Sequence, residues 1–332
     1  MTTRVQAEGP ITASIALVGQ SPGATEVREG RPFVGPAGKL LNGCLVKAML
    51  ERARLYITNL LKEQPRKIED FINLKGKEPT FSEGYFDYAN QLVDELNCTA
   101  ANVVVALGQE AFYALTDIYP PLIVKRRGSL YWSSKINKKV MACLHPSFAL
   151  RVGGDPKFEY LITHDLRRAK EQSEFPELRV PERAMWIRPT FEEALAYIAD
   201  IKEEVGFDIE VSNLEVSCFA FAKSAEDVMC VPLVEKGEQY FTEEQELAIW
   251  LATAKVLENP NVKVIGQNLM FDSSFLYRLY GIRVNNMEDT MIAQGTLAVD
   301  LPRGLDYLTS IYTQEPYYKW MGKKVFTEEL GK

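Results

Sequence analysis

The chain is poor in paired cysteine. Its five cysteines, Cys44, Cys98, Cys143, Cys218 and Cys230, are odd in number and scattered, and no CxxC occurs. That excludes a disulfide framework and a zinc site of the usual spacing, and it fits reduced thiols in a cytoplasmic protein. Long apolar runs are missing too: none could span a bilayer, and MTTRVQAEGP lacks the apolar core of a secretion signal. No membrane is therefore expected among the partners. The 332 residues, 46% hydrophobic and 25% charged, suit one or two globular domains, each able to bury its own core. The net charge of −7 is uneven: up to Phe175 there are 23 Lys+Arg against 19 Asp+Glu, and after it 15 against 26. Two domains of opposite sign are the simplest reading.

Glycine and proline are abundant in one place. GQSPGATEVREGRPFVGPAGKLL, Gly19 to Leu41, holds five glycines and three prolines between an apolar strand (Ser14–Val18) and a helix running through Leu45 toward Met49. Glycine admits close backbone approach and proline fixes φ, so such a loop holds one tight shape. With Phe33 in its middle, it reads as a loop shaped around a ligand.

Strands and helices alternate up to Gln172: SIALV, a helix over Leu40–Ala53, LYITNL, a helix near Tyr85–Leu96, NVVVAL, a helix from Gln109, KVMACL, and an amphipathic helix over Pro156–Gln172. That order predicts an α/β fold, a three-layer domain on a parallel sheet. Ligands of such sheets bind beyond the carboxyl ends of strands. The Gly19–Leu41 loop, Asn59 and His145 each follow or end a strand, so they are expected to converge. SEFPELRVPER, with two prolines and no hydrophobic period, reads as a linker, giving domains 1–173 and 184–332 around 174–183.

The successive motifs GQSPGATEVREGRPFVGPAGKLL, YITNLLKEQPRK, VVVALGQEA, KRRGS and CLHPSFALR resemble those of uracil-DNA glycosylases, closest to the family-four branch. The resemblance covers nearly all of Ile15–Lys170. It implies that Phe33 stacks on an extruded base and that Asn59 reads the uracil edge with its amide. It further implies that His145, in HPS beside Ser147, donates to uracil O2 as charge builds on the leaving base. His164, in the basic helix, reads as a surface residue. Gln20 and Ser21 complete the substrate-binding set, and they depart from the family. Family four carries Glu second in this loop, and other uracil glycosylases follow Gln with an Asp. Neither carboxylate is present here, and Glu26, the loop's remaining acid, could equally cap the turn. Family-four enzymes also hold an iron–sulfur cluster on four cysteines, whereas Glu63 stands where a ligand is expected. No iron–sulfur cluster is expected.

The second half opens with a helix over Thr190–Lys202, capped by Thr190 and Glu193. VGFDIEVSN then carries Asp208 and Glu210, which alternation places on one face of a strand. Carboxylates so placed suit Mg²⁺ or Mn²⁺, which two-metal phosphoryl chemistry uses. DIE followed later by GQNLMFD resembles the first two motifs of the 3′–5′ proofreading exonuclease of family A DNA polymerases, an RNase H-like fold of the DnaQ group. The resemblance implies Asp208, Glu210 and Asp272 as catalytic metal ligands and Asn268 as a substrate-positioning residue. Asp289 reads as a helix N-cap rather than a ligand. The third motif, a Tyr with an Asp four residues on, is missing up to Lys332, so the exonuclease-like domain is expected to be truncated. The domain order resembles bacteriophage family A DNA polymerases with a glycosylase-like front domain. The expected function is DNA replication or repair in the host cytoplasm. The expected partners are DNA, single-stranded or at a primer 3′ end, and a polymerase domain or separate polymerase chain. Two alternatives stay open: a non-catalytic DNA- or polymerase-binding module, and an active uracil-DNA glycosylase.

Overall fold

A computed structural model describes residues 4–317. The chain divides into two compact units, Met1–Arg179 with Asp306–Lys332, and Val180–Leu305.

The first unit is built on five strands: β1 (Ile15–Gly19), β2 (Tyr56–Asn59), β3 (Val103–Leu107), β4 (Leu130–Ser133) and β5 (Lys138–Cys143). Their order is β2-β1-β3-β5-β4. The first four in that order run parallel, and β4 closes the edge antiparallel to β5. The parallel sheet expected from the alternation is therefore present, with one edge strand that the pattern did not announce. Every residue of β1 is buried. Ile15 and Leu17 pack into one apolar layer with Leu41 and Leu45, while Ala16 and Val18 pack into the other with Leu92 and Phe112. Such two-sided burial is why SIALV and VVVAL read as continuous apolar runs. The covering helices include α1 (Ala24–Glu29), α2 (Pro36–Lys47), α3 (Glu83–Asn97), α4 (Gln109–Thr116), α5 (Pro146–Arg151) and α6 (Pro156–Gln172). The expected helix over Leu40–Ala53 starts earlier, with Pro36 in its first turn, and ends at Lys47. Met49 then adopts positive φ.

The second unit carries a six-stranded sheet. Its strands are β6 (Ala184–Trp186), β7 (Glu204–Ser212), β8 (Glu215–Ala222), β9 (Asp227–Pro232), β10 (Lys263–Gly266) and β11 (Met287–Asp289), in the order β11-β10-β7-β8-β9-β6. Helices α7 (Phe191–Ala199), α8 (Glu243–Leu257), α9 (Leu269–Tyr280) and α10 (Thr290–Leu297) accompany it. Thr190 and Glu193 form the expected capping box, each donating its backbone N–H to the other's side chain. The helix stops at Ala199 rather than Lys202. In β7, Val205, Phe207 and Ile209 face the core, whereas Asp208 and Glu210 are exposed.

A last helix, α11 (Leu305–Tyr312), and the described residues after it, as far as Tyr317, lie on the first unit. Arg127 Nη1 donates to Ser310 Oγ at 2.9 Å, Arg168 Nη2 to the Thr313 carbonyl at 2.7 Å, and the Tyr317 N–H to Ser129 Oγ at 3.2 Å. The boundaries drawn on the sequence assigned this segment to the second domain, because nothing in its composition names its packing partner. Arg127 also pairs with Asp165, fully buried beneath it. His164, expected at the surface, is half-buried beside this pair. The third motif is missing from the sequence between Asp272 and Lys332, and residues 318–332 of that stretch lie outside the described residues.

Candidate functional site

The ends of β1, β2 and β5 open into a cavity of about 480 Å³. Gln20, Ser21, Phe33, Asn59, His145 and Ser147 all line it, so the residues expected to bind or act on a base in the first half of the sequence arrive in one place. The loop after β1 is packed without slack. A Cβ at Gly19 would come within 2.2 Å of Asn59 Oδ1 and 2.5 Å of the Phe33 ring, and one at Gly38 within 1.8 Å of the Phe33 carbonyl oxygen. Glycine is required at both positions by close approach. Phe33 itself sits at φ 51°, is only 4% exposed, and tilts toward the His145 ring at 5.8 Å.

Glu26 has a defined structural task. Its Oε2 accepts the Gly23 N–H at 3.0 Å and its Oε1 accepts the Gly35 N–H at 2.9 Å, tying the two ends of the glycine-rich turn. It is the one carboxylate among the cavity-lining residues.

Asn59 ends β2 and is 4% exposed. Behind it, buried Lys62 donates to the Asn59 carbonyl at 3.0 Å and to Thr58 Oγ1 at 2.6 Å, and pairs with Glu95. Burial pulls the Lys62 pKa down, and Glu95 opposes the shift. His145 precedes α5, and its Nδ1 accepts the Ser147 N–H at 3.1 Å. Desolvation, with help from Arg151, lowers its pKa to about 4. The ring is therefore neutral at physiological pH, and with Nδ1 accepting, its proton sits on Nε2. Glu63 lies 4.0 Å from Arg4. Of the first unit's cysteines, Cys44 and Cys143 are buried in the apolar core and Cys98 is exposed.

The second unit gathers the other set. Asp208 and Glu210 stand on the exposed face of β7, opposite Ala220 and Cys218 of β8. Asp272, on α9, is 4% exposed, and its Oδ1 accepts the N–H of Ile209, the residue between the two acids, at 3.0 Å. Desolvation, then the Asp272 and Glu210 charges, push Asp208 up to about 6. Asp272 is raised as well, first by desolvation. Among the described residues, no set of three His, Cys, Asp or Glu side chains stands ready-made as an ion cage. The donor set nevertheless fits a hard cation: it consists of carboxylate oxygens held in mutual repulsion, which a cation would relieve. Asn268 adopts left-handed φ at the start of α9. Asp289 caps α10 through the Met291 N–H and also accepts from the N–H groups of Asn268 and Leu269. The cap reading stands, and the same carboxylate shapes the turn that carries Asn268.

Sequence reasoning overlooked Lys62 and Arg52. Arg52 donates to Glu8 and to the carbonyls of Pro32 and Phe33. Long-range polar pairs of this kind leave no periodic signal.

Comparison with known proteins follows the same division. The family described as the uracil DNA glycosylase superfamily matches residues 6–167, and the one described as 3'-5' exonuclease matches residues 187–325. The type-4 uracil-DNA glycosylase of Archaeoglobus fulgidus is 36% identical over 156 residues, 45% of this chain and 73% of that protein. The Thermotoga maritima type-4 enzyme is 32% identical over 174 residues, 51% of this chain and 82% of that protein. Among solved structures, the catalytic core of RRP6 from Trypanosoma brucei aligns with a TM-score of 0.35 at 18% identity, covering 43% of this chain and 38% of that one.

Proposed function

We propose, for a chain that belongs to the uracil DNA glycosylase superfamily and carries a 3′–5′ exonuclease domain behind it, a role in DNA replication or repair as the front portion of a bacteriophage-type family A DNA polymerase. The first unit engages bases in DNA, and the second removes nucleotides from a 3′ end. The observation that carries the reading is the pairing in one chain of an open cavity lined by Phe33, Asn59 and His145 with the Asp208, Glu210 and Asp272 constellation.

In the second unit, Asp208, Glu210 and Asp272 would hold Mg²⁺ or Mn²⁺. Such ions supply the charge that stabilises the attacking and leaving oxygens in a phosphoryl displacement. The Ile209 N–H keeps Asp272 against the strand that bears the other two acids, and Asn268 positions the DNA strand. In the first unit, Phe33 offers a ring face to an extruded base, Asn59 reads its edge, and neutral His145 donates from Nε2 to an oxygen that gains charge. Gln20, Ser21 and Ser147 complete the wall.

One observation favours a pocket that binds rather than excises. Gln20 and Ser21 bring no charge, and Glu26, the one carboxylate among the cavity-lining residues, is committed through both oxygens to the Gly23 and Gly35 N–H groups of the turn rather than to a water. We propose slow or absent cleavage, and an iron-free, colourless protein, since the first unit's cysteines are divided between core and surface.

The test is direct. The full chain, with Mg²⁺ or Mn²⁺, should shorten 5′-labelled single-stranded DNA stepwise from its 3′ end, weakly if the third motif lies elsewhere. Asp208→Ala should shorten it roughly 100- to 1000-fold more slowly. Metal binding without any digestion, even by a longer natural chain bearing the third motif, would refute the exonuclease assignment. Rapid formation of abasic sites in a uracil-containing oligonucleotide, lost in His145→Ala, would establish the glycosylase alternative instead.

A further inference from the structure

Phe33 poses a problem that its own loop does not solve. A non-glycine residue at φ 51° is strained, and it persists only where its surroundings over-determine it. The peptide groups flanking Phe33 are held from outside the loop. Arg52 Nη2 donates to the Pro32 carbonyl at 2.7 Å, and Arg52 Nη1 donates to the Phe33 carbonyl at 3.2 Å and to Asn42 Oδ1 at 2.9 Å. The guanidinium is in turn braced by Glu8, which accepts from Nε at 3.1 Å and from Nη2 at 2.9 Å. Glu8 is anchored as well. Its backbone N–H and carbonyl pair with Ile57 on β2, at 2.9 and 2.8 Å, two residues before Asn59.

We propose that Arg52, braced by Glu8, is a positioning residue for base recognition. It ties the carbonyls on either side of the Phe33 platform to the strand that carries the Asn59 reader, and so fixes their separation. The inference rests on the base-binding reading of the cavity. Arginine suits the task because its planar fork serves several acceptors at once, which a lysine ammonium on a flexible stem does not. Arg52 acts through Phe33, and no contact between Arg52 and the base is needed.

A double-mutant cycle separates this from a merely structural role. Binding of a uracil-containing single-stranded oligonucleotide is followed by fluorescence anisotropy for wild type, Phe33→Ala, Arg52→Gln, Arg52→Lys, Glu8→Gln and the Phe33→Ala/Arg52→Gln pair, with thermal melting as the control for folding. Phe33→Ala is expected to weaken binding about ten-fold, from the stacking it loses. Arg52→Gln should lose most of that factor, and Arg52→Lys should not restore it. The double variant should bind no more weakly than Phe33→Ala alone. Glu8→Gln, which leaves every Arg52 donor in place, should give a smaller loss in the same direction and serves if Arg52→Gln does not fold. Wild-type binding by folded Arg52→Gln, or losses that add fully in the double variant, would overturn the bracket. Wild-type binding by Phe33→Ala would instead overturn the base pocket, and the bracket with it.

Discussion

β1 and β7 each place their unit's chemistry, in opposite ways. β1 is buried along its whole length because its sheet is covered on both faces. No polar side chain can leave such a strand sideways, so the polar cavity-lining residues Gln20, Asn59 and His145 collect at the strand ends. β7 alternates: Val205, Phe207 and Ile209 go inward and Asp208 and Glu210 outward, so its carboxylates stand on the face itself. At the end-of-strand site, Glu26 and a neutral His145 are each held by accepting backbone N–H groups. The face site differs: desolvation, then neighbouring acids, raise the pKa of both Asp208 and Asp272.

The contrast can be broken by substitutions. Leu17→Ala in the doubly covered strand should cost about 2–5 kcal/mol of stability, whereas Ala220→Ser on the wet face of β8 should change the melting temperature little. Equal losses measured by thermal melting would remove the distinction between the sheets. Next in size, Asp208→Ala should reduce 3′–5′ digestion roughly 100- to 1000-fold, as losses of preorganised charge stabilisation do, and chelation by EDTA should match it. Oligonucleotide binding at the first unit's cavity should survive both treatments, measured by anisotropy. A smaller effect is expected at the glycine-rich turn. Glu26→Ala leaves the Gly23 and Gly35 N–H groups without their acceptor, and it should cost about 1–3 kcal/mol, read as a loss in chemical denaturation.

The finest test is pH. Because the folded His145 pKa is depressed to about 4 while an unfolded histidine titrates near 6.5, the unfolded chain takes up the proton first. Its contribution to stability is therefore complete above pH 6.5 and lost as pH falls toward 4. Wild type should lose melting temperature across that window more steeply than His145→Gln, and its oligonucleotide binding should be flat from pH 6.5 to 8. Parallel melting curves for the two proteins would show that His145 is not held neutral.

How much was legible follows from the same contrast. Continuous apolar runs and strict alternation are local patterns, so SIALV, NVVVAL and the Asp208/Glu210 face could be read directly. The convergence of Gln20, Asn59 and His145 followed from their positions at strand ends, a property of parallel sheets in general. The Arg52 bracket, the Lys62–Glu95 pair under Asn59 and the Asp272 bond to Ile209 join residues far apart in the chain, and no local pattern encodes them. Edge strand β4 pairs antiparallel to β5 across a short connection, which a strand–helix alternation does not foresee.

The return of α11 and residues up to Tyr317 to the first unit makes the second unit, in topological terms, an insertion within the first. It is tethered at both ends rather than hung from one linker. Limited proteolysis within Ser173–Arg183 should then cut the backbone without parting the fragments. They would co-elute in native gel filtration until the Arg127–Ser310 and Arg168–Thr313 bonds were melted. A severed linker would thus leave a complemented pair, because one piece carries the docking strap that the other retains.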